Sequence, residues 1–203
     1  MMKTLTAAFA GLLLLGLTAC GGAPDRDTYH WVDWTEAGVD GATGSATGIT
    51  VTYSGDLNGN STPDNDAEDL FTPWAETFTH DDVGAVLAGG DILRMVGGEG
   101  TGTQTLTFSP AARDPVFAIF SLGSLTDPAR MVFDTDIEVL TSGRGKWGNN
   151  PTGLRVDEDG TTLLGREAYG LVRIEGTFER LSFEIPNHEA DYGIQVAVRH
   201  TVE

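Results

Sequence analysis

Cysteine is nearly absent from this 203-residue chain: there is one, Cys20. A single thiol excludes an internal disulfide and a zinc site built on cysteine pairs, so core packing has to hold the fold, with a bound ion as the other source of stability. Basic residues are also sparse. Twelve Lys and Arg stand against 30 Asp and Glu, a formal net charge of -18, and that field opposes nucleic acid and anionic lipid headgroups as partners. After Leu17 no apolar run approaches membrane length, and sustained helical periodicity is missing. Catalytic spacings are missing too. His30, His80, His188 and His200 are scattered, with no His-x-x-x-His or Glu-x-x-His pair for zinc, and Ser121 lacks a Gly-x-Ser-x-Gly elbow. Gly97-Gly98-Glu99-Gly100 and Gly143-x-Gly145 lack the Lys-Ser/Thr ending of a phosphate loop and read as tight β connections.

What is present begins at the N-terminus. Met1-Met2-Lys3 precedes an apolar run from Leu5 through Leu17, closed by small residues. A positive start, a short apolar core and a small-residue exit predict a processed export leader over residues 1–19. Leu17-Thr18-Ala19-Cys20 resembles the lipobox of bacterial lipoproteins. That resemblance implies diacylglycerol on the Cys20 sulfur, cleavage before Cys20 and acylation of its new amino group. Two or more acyl chains hold a protein stably on a membrane, so the membrane is an expected partner. Gly21 stands where many lipoproteins retained at the inner membrane have Asp, which implies the outer membrane. Residues 20–28 read as the lipidated cysteine and its tether, and residues 29–203 as one domain large enough to bury a core.

Within that domain apolar residues alternate with Thr, Ser and charged residues, and Gly is abundant. Ile49, Val51 and Tyr53 alternate with Thr50, Thr52 and Ser54; Leu181, Phe183 and Ile185, then Ile194, Val196 and Val198, do the same. These are half-buried antiparallel strands. Val116 to Leu122 (Val-Phe-Ala-Ile-Phe-Ser-Leu) is apolar on both faces and is placed centrally, covered on one side by a facing sheet and on the other by loops. Short helical turns are expected only at Asp66–Trp74 and Asp81–Leu87. About ten strands predict an all-β fold, an antiparallel two-sheet β-sandwich with jelly-roll connectivity.

Four stretches, taken in order, resemble a family of exported bacterial β-sandwich proteins, many of which carry a C-terminal PEP-CTERM sorting segment and are linked with exopolysaccharide-producing bacteria. They are Thr47 to Gly55; Phe108-Ser109-Pro110 with Asp114 to Gly123; Gly143-Arg144-Gly145-Lys146-Trp147-Gly148; and Gly176-Thr177-Phe178 leading to Pro186-Asn187-His188-Glu189. The resemblance implies surface display and brings no catalytic motif. The chain ends at Val202-Glu203 without a sorting helix, so anchoring through Cys20 is expected in place of the sorting pathway.

Two constellations carry chemistry. In the acidic loop from Asp56 to Asp69, Asp56, Asn58, Asn60 and Asp64 have the spacing of the first, third, fifth and ninth positions of a calcium loop, with Asp66 as a further oxygen donor. Gly59 falls two residues early and Ala67 stands at the twelfth position, so an EF-hand is excluded. The choice is between a looser calcium site and a solvated polar turn. The second constellation is aromatic: Trp31, Trp34, Trp74, Trp147 and Tyr192. Trp147 with Asn149, and Asn187 with Glu189 and Tyr192, pair an aromatic face for sugar C–H groups with amides or carboxylates for hydroxyls. The alternative is that the aromatics plug the ends of the sandwich. The expected function is a lipid-anchored, non-enzymatic envelope module contacting polysaccharide and calcium, set against a glycan-processing enzyme or a purely structural envelope protein. If the acidic loop holds calcium, the ion should raise the melting temperature; an identical melt in calcium and in chelator would remove the site.

Overall fold

Alternation in the sequence becomes alternation in burial. Ile49, Val51 and Tyr53 are buried while Thr50, Thr52 and Ser54 are exposed. The computed structural model describes residues 28–59, 61, 69–86 and 90–200. The lipobox with Cys20, and the proposed calcium ligands Asn60, Asp64 and Asp66, lie outside the described residues.

The strands run β1 (His30–Trp31), β2 (Asp33–Ala37), β3 (Gly41–Ala46), β4 (Ile49–Ser54), β5 (Thr79–His80), β6 (Gly84–Ala85), β7 (Leu93–Gly97) and β8 (Gln104–Arg113). They continue as β9 (Val116–Leu122), β10 (Ala129–Phe133), β11 (Ile137–Gly143), β12 (Leu154–Val156), β13 (Thr162–Gly165), β14 (Ala168–Ile174), β15 (Thr177–Glu184) and β16 (Glu189–Val198). Two antiparallel sheets pack face to face as a β-sandwich, as the alternation predicts. One has the order β1–β16–β9–β14–β11, with β7 also on β16; the other has the order β12–β13–β10–β15–β8–β4–β3–β2. We call the first the covered sheet and the second the open sheet.

The covered sheet takes its name from a second apolar layer. All seven residues of β9 are buried. Phe117 and Ile119 enter the core between the sheets, and Val116, Ala118 and Phe120 enter a separate core on the far side with Phe71, Phe78, Val83, Val86, Tyr169 and Leu171. The cover is the excursion 69–86, a 3-10 turn at Thr72–Trp74 followed by the β5–β6 ribbon. It is fastened at both edges of the sheet. Trp31 Nε1 donates to Ala85 O at 2.9 Å beside β1, and Thr77 Oγ1 donates to Arg144 O at 2.9 Å beside β11. The sequence expectation of a central strand covered by loops is met here. The helical turn expected at 81–87 is not: residues 81–83 form a turn into β6, because Gly84 at φ 79° leaves the helical region.

One side of the sandwich is closed by the chain itself. Val32 joins β1 in the covered sheet to β2 in the open sheet, and the backbone exposed by that crossing is bonded to buried side chains. Gln195 Nε2 donates to Val32 O at 2.8 Å, Trp34 N donates to Asp91 Oδ2 at 2.8 Å, and Trp34 Nε1 donates to Gln195 Oε1 at 2.8 Å. Trp34 is therefore a core plug. Pro110, which has no N–H to give, sits in β8 within a bulge of that strand, where the pairing with β15 jumps from Phe178↔Ala112 to Arg180↔Thr107.

All four tyrosines are buried, and burial is the leading cause that raises the pKa of each: Tyr29, Tyr53, Tyr192, and Tyr169, the last pushed up to about 12. A phenol whose folded pKa exceeds its unfolded value adds stability below the ordinary value of 10 and loses it as pH climbs through the folded value. Spectroscopic titration with base should thus show tyrosinate only above pH 10, together with unfolding. Early, non-cooperative ionisation would contradict the packing.

Candidate functional site

The loop 144–153 leaves β11 in the covered sheet and enters β12 in the open sheet. It carries Trp147 and Asn149, both exposed. Trp147 is 51% exposed, and among the described residues only Val39 and Leu125 are large apolar side chains as far out of the core.

The indole is nonetheless held. Its ring stands edge-on to Phe120, 5.2 Å between centroids, and Phe120 stands edge-on to Tyr169 at 5.3 Å. The Arg94 guanidinium lies 5.5 Å from the Trp147 ring centre and 5.7 Å from that of Phe120, and Lys146 Nζ lies 5.4 Å from Trp147. Contacts of this kind contribute about 0.5–1 kcal/mol each at exposed sites. Asp191 orients Arg94: Arg94 Nε donates to Asp191 Oδ1 at 2.7 Å, and a second guanidinium N–H meets Oδ2. Asn58 Nδ2 donates to the same Oδ1 at 2.8 Å.

The backbone under the loop is unusual. Ser121 and Glu167 both have positive φ, 59° and 52°, a region that costs a non-glycine residue about 1 kcal/mol or more. They meet through their side chains. Ser121 Oγ donates to Glu167 Oε1 at 3.2 Å, Tyr169 Oη donates to the same oxygen at 3.1 Å, and Trp147 N–H donates to Tyr169 Oη at 3.2 Å. Burial keeps the Tyr169 phenol protonated, so this chain of bonds persists across the ordinary pH range. The glycines flanking Trp147 have a steric reason. A Cβ at Gly145 would strike the Tyr169 ring, and one at Gly148 would strike the Glu167 side chain. The resulting arrangement is a half-exposed indole held edge-on by buried aromatics, suited to the apolar C–H face of a ring-shaped ligand, with exposed Asn149 two residues further along the same loop.

No protein-family model, curated protein or solved structure matches this chain. The chain's own side chains therefore carry the functional evidence.

The other predicted sugar-contacting residues lie elsewhere. Tyr192 is a correction: it lies on β16 at 0% exposure, in the core with Ile194 and Val196, and offers no face to a ligand. The alternation Tyr192-Ile194-Val196-Val198 puts it inside. Glu189 Oε2 accepts from Gly123 N at 2.7 Å and Oε1 from Asp191 N at 3.4 Å, so its carboxylate ties two segments together. Asn187 is half-buried, with its Oδ1 enclosed. This stretch reaches Trp147 indirectly, through Asp191 and Arg94.

Of the proposed calcium ligands, Asp56 is exposed, its backbone N–H donating to Gln104 Oε1 at 3.1 Å, and Asn58 is drawn to Asp191. Among the described residues no three His, Cys, Asp or Glu side chains gather into a metal site. Sequence reasoning missed Arg94, Asp191, Glu167 and Tyr169, which make the indole rigid. The one available signal was the Gly145-x-x-Gly148 spacing around Trp147.

Proposed function

We propose that this chain is a lipid-anchored envelope protein, held at the outer membrane through Cys20, whose β-sandwich binds polysaccharide without processing it. The observation that carries the reading is Trp147, half exposed yet packed edge-on against Phe120 and braced by Arg94. Burying an indole against sugar C–H groups releases water from its exposed surface, and the rigid support lowers the ordering cost of binding. Asn149 lies within the same loop to bond hydroxyls. Calcium is the proposed occupant of the acidic loop that begins at Asp56 and Asn58. The strand orders β7–β16–β9–β14 and β8–β15–β10–β13, with β7 to β10 alternating between sheets, support a jelly-roll reading of the sandwich. The proposed kinship with exported PEP-CTERM-associated proteins rests on the sequence stretches alone.

A glycan array probed with and without calcium, followed by product analysis, tests this function. Retention without product is expected, and Trp147→Ala should weaken it about tenfold or more at a temperature where the variant is still folded, its lost contacts with Phe120, Arg94 and Lys146 lowering the melting temperature by only a few degrees. Product formation would replace binding with catalysis. Retention that survives Trp147→Ala would place the binding face elsewhere.

A further inference from the structure

The same loop borders a cleft of about 560 Å³ on the outer face of the open sheet, lined by Asn150, Thr152, Arg155, Leu164 and Arg166. Strand register explains the composition. Arg155 pairs with Leu164 across β12–β13, and Leu164 pairs with Arg130 across β13–β10. Leu163 and Met131 point into the core, so these three side chains point outward in one row. Arg166 N donates to Gly153 O at 3.0 Å, placing Arg166 in the next row beside a residue with no side chain. Arg155 and Arg166 are thus diagonal neighbours, about 7–8 Å apart at the backbone, with an open floor between them.

The pairing of these arginines sets the cleft apart. Arg130 leans on Asp157 at 3.6 Å, whereas among the described residues Arg155 and Arg166 pair with no carboxylate. The contrasting cleft of Asp114, Asp136, Arg173 and Arg199 has its guanidinium groups matched: Arg199 to Asp114 at 2.6 Å, and Arg173 to Asp82 and Glu138 at 2.9 and 2.8 Å. In a chain with 30 acids and 12 bases, two neighbouring arginines without acidic partners, lining a cleft that has no acidic wall, are a local reversal of the global field. Arg166 is held in place as its Nε donates to Leu125 O at 2.9 Å, and Asn150 Nδ2 donates to Arg166 O at 3.0 Å.

The geometry points to a subsite for an acidic sugar: Leu164 meets a ring face, Arg155 and Arg166 meet its carboxylate, and Asn150 and Thr152 meet hydroxyls. This subsite rests on the polysaccharide reading of Trp147 and gives it a substrate class, a glycan with carboxylate-bearing units spaced along an otherwise neutral chain. Sparse charge follows from the net -18 of the protein. A dense polyanion would be repelled as a whole. A lone carboxylate responds to the guanidinium groups within a screening length of about 8 Å. Guanidinium–carboxylate bonds are charge-assisted and directional, so loss of either partner should be felt strongly.

The test is binding of the whole protein to a panel of oligosaccharides carrying one glucuronate, galacturonate or mannuronate unit, each as free acid and as methyl ester. Parent neutral oligosaccharides and phosphatidylglycerol vesicles complete the panel. At least one free acid should bind about tenfold more tightly than its ester, and Arg155→Gln, which breaks no hydrogen bond within the protein, should erase that difference with the melting temperature unchanged. Arg155→Lys should keep part of it. Equal binding of acid and ester overturns the subsite and leaves the Trp147 platform standing. No binding of any oligosaccharide, charged or neutral, overturns both. Vesicle binding that depends on Arg155, without acid-selective oligosaccharide binding, overturns the sugar subsite in favour of a lipid headgroup.

Discussion

A strand with no polar face cannot belong to a sheet that meets water on one side. Val116 to Leu122 is such a strand, and its burial on both faces is the constraint on which the rest depends. One layer is the facing sheet. The other has to be made from connecting chain, and the excursion 69–86 supplies it with Phe71, Phe78, Val83 and Val86. Full burial of a side chain of this size contributes about 1.5–3 kcal/mol, so the cover is a substantial part of stability and more than a surface decoration. Because Thr77 bonds to the carbonyl of Arg144, the cover also reaches the first residue of the loop that carries Trp147.

That loop inherits its rigidity from the doubly buried sheet. Phe120 is a β9 residue in the outer core, and Trp147 rests on its edge. Ser121 adopts a left-handed conformation at the end of β9 and reaches Glu167, which has the same conformation before β14. The pairing of β9 with β14 shifts register at that point, between Ala168 and Gly170. Local strain, a register shift and an exposed aromatic thus coincide at one corner of the sandwich. Such strain persists where surrounding packing over-determines it, and it clusters where a surface is prepared for a ligand.

Much of this was legible in the sequence, for reasons that can be named. Two-residue alternation located β4, β15 and the second half of β16, and the unbroken apolar run located β9 and implied its cover. Strands built from small residues escaped notice: Gly41 to Ala46 has little to alternate, and its place in β3 follows from pairing with β4 along its whole length. The first half of β16, from Glu189 to Gly193, carries only Tyr192 of the inward series that Ile194, Val196 and Val198 continue, and so shows little alternation. The candidate site was half legible. An aromatic with amides after it drew attention to Trp147 and Asn149, but the residues that make the indole rigid come from four distant segments, at Arg94, Phe120, Glu167–Tyr169 and Asp191, and no local pattern connects them. The cleft of Arg155 and Arg166 depends on cross-strand register in the same way.

Trp147 is claimed to be both exposed and immobile, a combination that distinguishes a prepared platform from a loose surface side chain. NMR relaxation of the four indole N–H groups measures it directly. The account predicts that Trp147 has an order parameter close to the rigid-backbone value of about 0.85, matching buried Trp34, while its indole proton exchanges with water far faster than that of Trp34. A Trp147 order parameter below about 0.6, in a protein whose Trp34 is rigid, would contradict the platform.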